Sequence, residues 1–122
     1  MVKISDLAKG LYSYFNQFGN AYVNNSIPAG TKFPYITYSV EDISGFNNNI
    51  MQVMIYSKSN SFTEITTICD KILDDIGYGK VVPILDKGYI YLEQGSPSCQ
   101  LINDIDDITL KTALINIEYK VY

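Results

Sequence analysis

Three closely spaced aspartates, Asp104, Asp106 and Asp107, are the sharpest candidates for chemistry. A calcium loop of the EF-hand type places more oxygen ligands after such a start, with a glycine at its sixth position and a closing glutamate. Thr109 follows here, and nothing completes that ligand set. Paired carboxylates that cleave glycosides also need a pocket and a raised pKa, which the sequence does not indicate. We therefore interpret 104–109 as a solvated turn.

Other residue types that support catalysis are scarce. The chain has no histidine, which removes the usual general base and the commonest metal ligand. Gly77 to Lys80 holds two glycines and a lysine, but it lacks the P-loop spacing and follows a predicted helix. Cys69 and Cys99 are too few for a disulfide framework, and we interpret both as small core residues. Serine–lysine dyads stay open, because no spacing singles one out. We expect no enzymatic activity, no cofactor and no metal site.

The overall composition argues against nucleic acid as a sequence-specific ligand. The net charge is -4, and all 9 basic residues are lysines. Bidentate recognition of phosphate or guanine normally uses arginine. With 122 residues, of which 47% are hydrophobic, the chain suits one domain, 1–122, with one core. The start does not resemble a signal peptide and no apolar run is long enough to span a membrane, so we expect synthesis in the cytoplasm and no membrane partner.

Hydrophobic periodicity predicts the elements of the fold. Apolar residues recur every three or four positions over 4–18 and 61–76, which indicates two helices, the second ending at Gly77. Alternation predicts strands. The five predicted strands are 35–41, 50–56, 89–93, 98–103 and 112–121, and short pairings near 21–23 and 81–82 stay open.

This order predicts an α+β fold, because no strand–helix–strand series runs through the chain. We expect a mostly antiparallel sheet of about four to five strands with two helices packed on one face, in the order α-β-β-α-β-β-β. The polar segment 42–49 is predicted to be a protruding hairpin loop.

The tyrosines are the feature that the fold alone does not explain. Several of them fall on strand positions opposite the predicted core face, where a water-facing sheet normally carries polar residues. Tyrosine is common at interfaces, so one interpretation is an oligomer or partner surface. The alternative is that loops, or the segment 20–34, fold over this face. An RNA-binding sheet also displays aromatic residues, but it needs surrounding basic charge.

The candidate interface combines this face with the predicted loop. Its residues are Tyr35, Met54, Tyr56, Tyr89, Tyr91, Phe46, Asn47 and Asn48. Ile50 and Leu114 are expected to lie on the same face.

Three stretches of the chain resemble small tail-terminator, or tail-completion, proteins of long-tailed bacteriophages. Phe33 to Tyr38 (FPYITY) is similar to their first strand. Met51 to Ser59 (MQVMIYSKS) and the helix EITTICDKILDDI are similar to their second strand and following helix. The ending DIDDITLKTALINIEYKVY is similar to their last turn and strand.

This resemblance implies a structural protein of the virion, located at the phage tail or neck. Such proteins form a ring, usually of six subunits, that caps the tail tube and meets the head connector. The implied fold is a sheet with two helices, and the tyrosine face and the 42–49 loop would be candidates for ring or tube contacts. DNA would pass through the ring without sequence-specific binding, which suits an acidic chain.

Two classes of alternative remain. One is another neck, connector or tail-tube component. The other is a small enzyme or binding domain with an unknown ligand.

Overall fold

The computed structural model describes residues 3–24, 26–39, 49–84 and 87–122. Within these ranges the chain forms two helices and six strands. In chain order they are α1 (Ile4–Phe15), β1 (Asn20–Val23), β2 (Tyr35–Tyr38), β3 (Asn49–Lys58), α2 (Thr63–Ile76), β4 (Lys80–Pro83), β5 (Tyr89–Asn103) and β6 (Leu110–Val121). No helix of the described part is long and apolar enough to cross a membrane.

All six strands belong to one sheet, in the spatial order β1-β2-β3-β6-β5-β4. β1 runs parallel to β2, and every other neighbouring pair is antiparallel. The long strands β3, β6 and β5 are neighbours in the middle of the sheet, whereas the two edge strands, β1 and β4, have 4 residues each.

The pairing of β3 with β6 separates the two faces of the sheet. Alternate residues of both strands are fully buried on the core face. These residues are Met51, Val53 and Ile55 on β3, and Ala113, Ile115 and Ile117 on β6. Because successive side chains of a strand point to opposite faces, the residues between them form a second face.

α2 covers the core face with one apolar stripe. Its buried residues are Ile65, Ile68, Cys69, Ile72 and Ile76, and the helix packs against β3, β5 and β6. The helix ends at Gly77, which has a positive φ of 53° and donates its N–H to the Leu73 carbonyl at 2.8 Å. A left-handed residue at this point favours glycine, so the predicted helix end is confirmed.

α1 packs on the same core, where its Phe15 ring stacks on Tyr38 of β2. It contacts both edge strands, β1 and β4, so the sheet curls around this helix. The Tyr38 hydroxyl of β2 donates to the Ala8 carbonyl at 3.3 Å. The Tyr14 hydroxyl donates to the Asp75 carboxylate at 2.7 Å and so joins α1 to the end of α2. One hydrophobic cluster therefore includes residues of both helices and of the sheet.

The α+β class with two helices is confirmed, whereas the predicted strand count and order are wrong. The observed order is α-β-β-β-α-β-β-β, and the sheet is mixed because β1 and β2 are parallel. β1 and β4 stayed open in the prediction because their four residues are not part of a longer alternating stretch, whereas the alternation around the equally short β2 runs on to position 41 in the sequence.

The predicted strands 89–93 and 98–103 are one strand, β5. It follows β6 on both sides of an irregularity between Gln94 and Cys99. Gly95 lies within this irregularity, where an added Cβ would be 2.8 Å from the Asn116 carbonyl oxygen. The glycine and the proline at position 97 therefore mark a close strand approach and a bulge here, not a chain reversal. Of the predicted 42–49 loop, residues 42–48 lie outside the described ranges, and Asn49 begins β3.

Candidate assembly surface

Tyr35, Met54 and Tyr56 do come together on the second face of the sheet. Tyr35 and Tyr56 are paired across β2 and β3, and their rings stack with centroids 5.0 Å apart. The Tyr56 hydroxyl lies 3.3 Å from the Met54 sulfur. All three side chains are half-buried, so they already pack against one another within the chain.

Neighbouring aromatic residues cover part of this cluster. The Phe33 ring lies 5.2 Å from the Tyr35 ring, and the Tyr22 ring of β1 lies 6.4 Å from it. Both residues belong to the segment 20–34. The alternative to an interface was that this segment folds over the second face. At Tyr35, the structure therefore shows intrachain packing of the kind that this alternative described.

Tyr89 and Tyr91 lie elsewhere on the second face. Tyr91 pairs with Lys120 of β6, whereas Tyr56 pairs with Thr112. The spacing between Thr112 and Lys120 corresponds to about 26 Å along an extended strand. Tyr89 stacks on Tyr122, with ring centroids 4.9 Å apart. The five predicted sheet residues thus form two separate clusters.

The remaining predicted residues divide into described and undescribed ones. Ile50 is exposed on the second face and Leu114 is half-buried there, as expected. Phe46, Asn47 and Asn48 lie outside the described residues.

The exposed apolar residues of the hairpin between β5 and β6 were not predicted from the sequence. We call residues 101–110, which end β5 and begin β6, the arm. Ile105 is 97% exposed and Ile108 is 76% exposed. Leu101 and Ile102 are also exposed, although less fully. The sequence does place two isoleucines inside an acidic turn, and neither helical nor strand periodicity predicts that they are buried.

The three aspartates shape the arm. One oxygen of Asp104 accepts the N–H groups of Asp106 and Asp107 at 2.8 and 3.0 Å. Asp107 accepts the Thr109 N–H at 2.9 Å and also forms an ion pair with Lys58 of β3. The prediction of a turn is confirmed, because these carboxylates satisfy the backbone of the turn itself.

Lys111 holds the base of the arm. It is 8% exposed, and its ammonium donates to the Ile108 carbonyl at 2.6 Å and to the Asn103 side chain at 3.0 Å. The ammonium also lies over the Phe62 ring, 5.2 Å from its centroid. A buried lysine needs such partners, because an unpaired charge is costly away from water. The exposed isoleucines therefore sit on a fixed support.

Among the described strands, none pairs with the outer edge of β5 near the arm. β4 pairs only with Tyr89 to Leu92. In the part of the chain that the structure describes, Cys99–Asn103 consequently pairs with β6 on one side and with no strand on the other. Such an edge presents backbone groups that can pair with another chain.

An apolar groove lies along α1. Its volume is about 720 Å³. Both edges of the curled sheet and the helix contribute apolar side chains to it: Ala8, Tyr12, Val23, Tyr38, Pro83 and Ile84. Asp6 and Lys9 stand at its rim, and the Asp6 carboxylate accepts the Lys3 N–H at 3.1 Å.

The groove and the arm are separated along the sheet, since Tyr38 is level with Ile115 through Val53 and the opposite wall lies further along β6. Pro83 pairs with Tyr89, whose N–H donates to the Tyr122 carbonyl, so this side of the groove lies where β6 finishes. The arm lies where β6 begins. β6 has 12 residues, which corresponds to about 36 Å of extended chain.

The described residues contain no group of three or more histidine, cysteine or acidic residues that could hold a metal ion. Burial raises the pKa of Tyr38 to about 12, and the nearby Tyr12 adds to this effect. Burial, followed by the hydrogen bond to Asp75 and its charge, also raises the pKa of Tyr14. Both tyrosines therefore keep their protons at neutral pH and act as structural hydrogen-bond donors.

No protein-family model matches this chain, and no curated protein matches it.

A double-mutant cycle on Tyr35 and Tyr56 tests whether the second-face cluster is packed within one chain. Each alanine variant should lose stability, and the coupling free energy in unfolding should be about 0.5–1.5 kcal/mol, because the rings stack. Chemical denaturation of the four proteins at a concentration that keeps them monomeric measures this energy. Strictly additive losses would contradict the intrachain contact.

Acid titration tests the anchoring of the arm. Hydrogen bonds from Lys58, and then from Thr109, hold the pKa of Asp107 well below its usual range. The carboxyl carbon of Asp107 should therefore titrate below the unfolded-chain value of about 3.9. A lowered folded-state pKa means that these contacts stabilise the fold above that value and lose their effect as the pH falls through the folded-state pKa.

Carbon-13 NMR of the folded protein measures the midpoint directly. In Lys58→Met the titration midpoint of Asp107 should rise, because the variant loses the hydrogen bond from Lys58, which is the largest cause of the lowered pKa. A midpoint of about 3.9 or higher in the unaltered chain would contradict the contact.

Proposed function

We propose that this chain is a structural subunit that assembles with copies of itself into a ring, of the type that terminates a bacteriophage tail. The observation that carries the proposal is the arm. It exposes isoleucines at 97% and 76% on a hairpin whose turn and base are hydrogen-bonded. Exposed apolar side chains on an ordered support are typical of an interface.

The groove supplies a surface of matching chemistry. It is lined by apolar side chains from α1 and from both sheet edges. The arm of one copy lies away from its own groove, since the groove walls are level with Ile115 and with the last residues of β6, whereas the arm precedes Lys111. We therefore assign the groove to the arm of a neighbouring copy.

The charges around the groove bear on the orientation of the contact. Ile105 stands between Asp104 and Asp106 on the arm, and both Lys9 and Asp6 line the groove. Asp6 accepts the backbone N–H of Lys3 and keeps its negative charge, so Asp6 and Lys9 together carry no net charge that would attract the arm. An arm that enters with Asp106 near Lys9 would use the lysine for orientation, since complementary charges add orientation more than affinity.

Such a contact joins two different surfaces, so it is heterologous. Heterologous contacts generate a ring when the rotation between copies closes, and an open filament when it does not. A terminator must stop growth, which requires the closed form. The resemblance to tail-terminator proteins supports a ring of about six copies.

The proposed partners are the tail-tube protein on one side of the ring and the head connector on the other. In this role the chain would be a virion component at the phage tail or neck. DNA would pass through the ring, and a net charge of -4 would limit its attraction to the DNA phosphates. The two tyrosine clusters, and the exposed Ile50 that lies between them on the second face, are candidates for contacts with these partners.

The other virion roles can be distinguished from a terminator by the assembly that forms. A tail-tube subunit should polymerise into long tubes, and a connector adaptor should bind the head portal in preference to the tail end. A binding module, in contrast, would use the groove for an apolar ligand. In that case an apolar fluorescent probe should bind equally well to the wild-type protein and to an arm variant.

Substitution of the arm tests the proposed contact. Ile105→Asp should weaken self-association more than tenfold, because it places a charge where an apolar side chain is buried between copies. The free energy of unfolding should change by less than about 0.5 kcal/mol, since Ile105 touches little within its own chain. Sedimentation velocity over a wide concentration range, with electron microscopy of tails, measures the assembly.

Tyr78→Asp is the matched control, because Tyr78 is equally exposed in the turn after α2 but lies outside the arm and the groove. It should leave assembly unchanged. Lys9→Glu should weaken association, and combining it with Asp106→Lys should restore part of the loss. A wild-type chain that stays monomeric at all concentrations and is absent from tail ends would contradict the proposal. If Lys9→Glu loses folding stability but still associates, a segment of the same chain, and not a neighbouring arm, occupies the groove.

A further inference from the structure

Cys69 and Cys99 come together in the fold although they are 30 residues apart. Their sulfur atoms are 2.8 Å from each other, with both cysteines in the free thiol form. A disulfide bond requires about 2.05 Å, so only a small further approach separates this contact from a covalent bond. The sequence reasoning placed both residues in the core without predicting that they meet.

Two rigid elements hold the sulfurs in place. Cys69 lies on the buried stripe of α2, and Cys99 pairs with Ile115 just after the irregularity in β5. The Gln94 side chain joins the same helix and strand a second time, since its amide donates to the carbonyls of Leu73 and Gly77 at 3.1 and 3.2 Å. The helix and the strand that carry the two cysteines are therefore held together at a second point besides the cysteine contact.

We infer that Cys69 and Cys99 form a site of reversible oxidation, closed to a disulfide by a low-molecular-weight disulfide such as oxidised glutathione. The reaction transfers two electrons from the protein thiols to the small disulfide. One sulfur–sulfur bond forms in the protein, one breaks in the oxidant, and the oxidant leaves as two thiols that carry the two protons. This inference stands whether or not the chain assembles into a ring.

The two sulfurs differ in access, which sets the order of events. Cys99 is half-buried, whereas Cys69 is 2% exposed within the core. Burial, and then the contact with Cys99, raises the pKa of Cys69, so this thiol keeps its proton. The Cys99 thiolate attacks the oxidant first and forms a mixed disulfide. Cys69 then loses its proton and attacks the Cys99 sulfur, and the second small thiolate leaves and takes up that proton.

The disulfide would fasten α2 to β5 immediately before the arm. Closing this loop restricts the unfolded chain, and the native contact needs little rearrangement, so the bond should stabilise the fold. It would also tie the base of the arm covalently to the helix that covers the core.

The test treats the full chain with mixtures of oxidised and reduced glutathione, and then blocks remaining thiols under denaturing conditions. Mass spectrometry should find a loss of two hydrogens, no blocked thiols and a Cys69–Cys99 linked peptide. The melting temperature should rise by about 5–15 °C and should return on reduction.

Single variants separate the steps. Cys69→Ala should retain one glutathione on Cys99, because nothing displaces it, and Cys99→Ala should stay unmodified. The alanine variants suit a buried site, and a circular dichroism spectrum confirms that each remains folded. Two thiols that remain blockable after oxidation of the wild-type chain, or a disulfide found only between chains, would overturn the inference. Glutathione on Cys69 in Cys99→Ala would overturn the order of attack.

Discussion

The antiparallel pairing of β3 with β6 is the constraint on which the rest of the structure depends. It joins Asn49–Lys58 to residues 110–119 without a break in register. Because the side chains alternate, this one pairing fixes which residues of both strands enter the core and which form the second face. If β3 shifted by one position relative to β6, Val53 and Ile55 would be exposed, and Gln52 and Met54 would be buried. The apolar stripe of α2 fits only the observed register, so helix packing and strand pairing support each other.

The strands that extend this central pair differ in length, and these differences create the surfaces that we connect with function. β4 covers only the first part of β5, and β6 continues with β5 past the point where β4 ends. The result is an arm at one end of the sheet. Away from the arm, the sheet curls around α1, and its two edges form the walls of the groove. One chain thus carries an exposed apolar projection and an apolar recess on different parts of its surface, and the proposed head-to-tail assembly uses both.

Much of the local structure could be predicted from the sequence, because local periodicity reports it. The second helix and its end at Gly77 follow from apolar spacing and a glycine, and β6 follows from its alternation. Pairings between distant residues could not be predicted in this way. β1 is recognisable only by its parallel partner β2, and β4 only by its partner β5, since neither belongs to an alternating stretch longer than its four residues.

The candidate site was harder to predict for a related physical reason. The tyrosines were correctly placed on the second face, but their separation into two clusters depends on the offset between β5 and β3 along β6. The exposure of Ile105 and Ile108 depends on where β4 stops, and the meeting of Cys69 with Cys99 depends on how α2 crosses β5. Apolar residues inside an acidic turn were the one local signal of the arm.

The contact between the arm of one copy and the groove of the next is the central claim, and engineered cross-linking tests it most directly. In a chain with both native cysteines changed to alanine, Ile105→Cys and Lys9→Cys together should yield, on mild oxidation, a ladder of covalent oligomers that ends at a closed ring. An equal mixture of the two single variants should stop at cross-linked dimers. Dimers from the double variant alone, or efficient cross-linking of Ile105→Cys with itself, would indicate a symmetric contact and contradict the account.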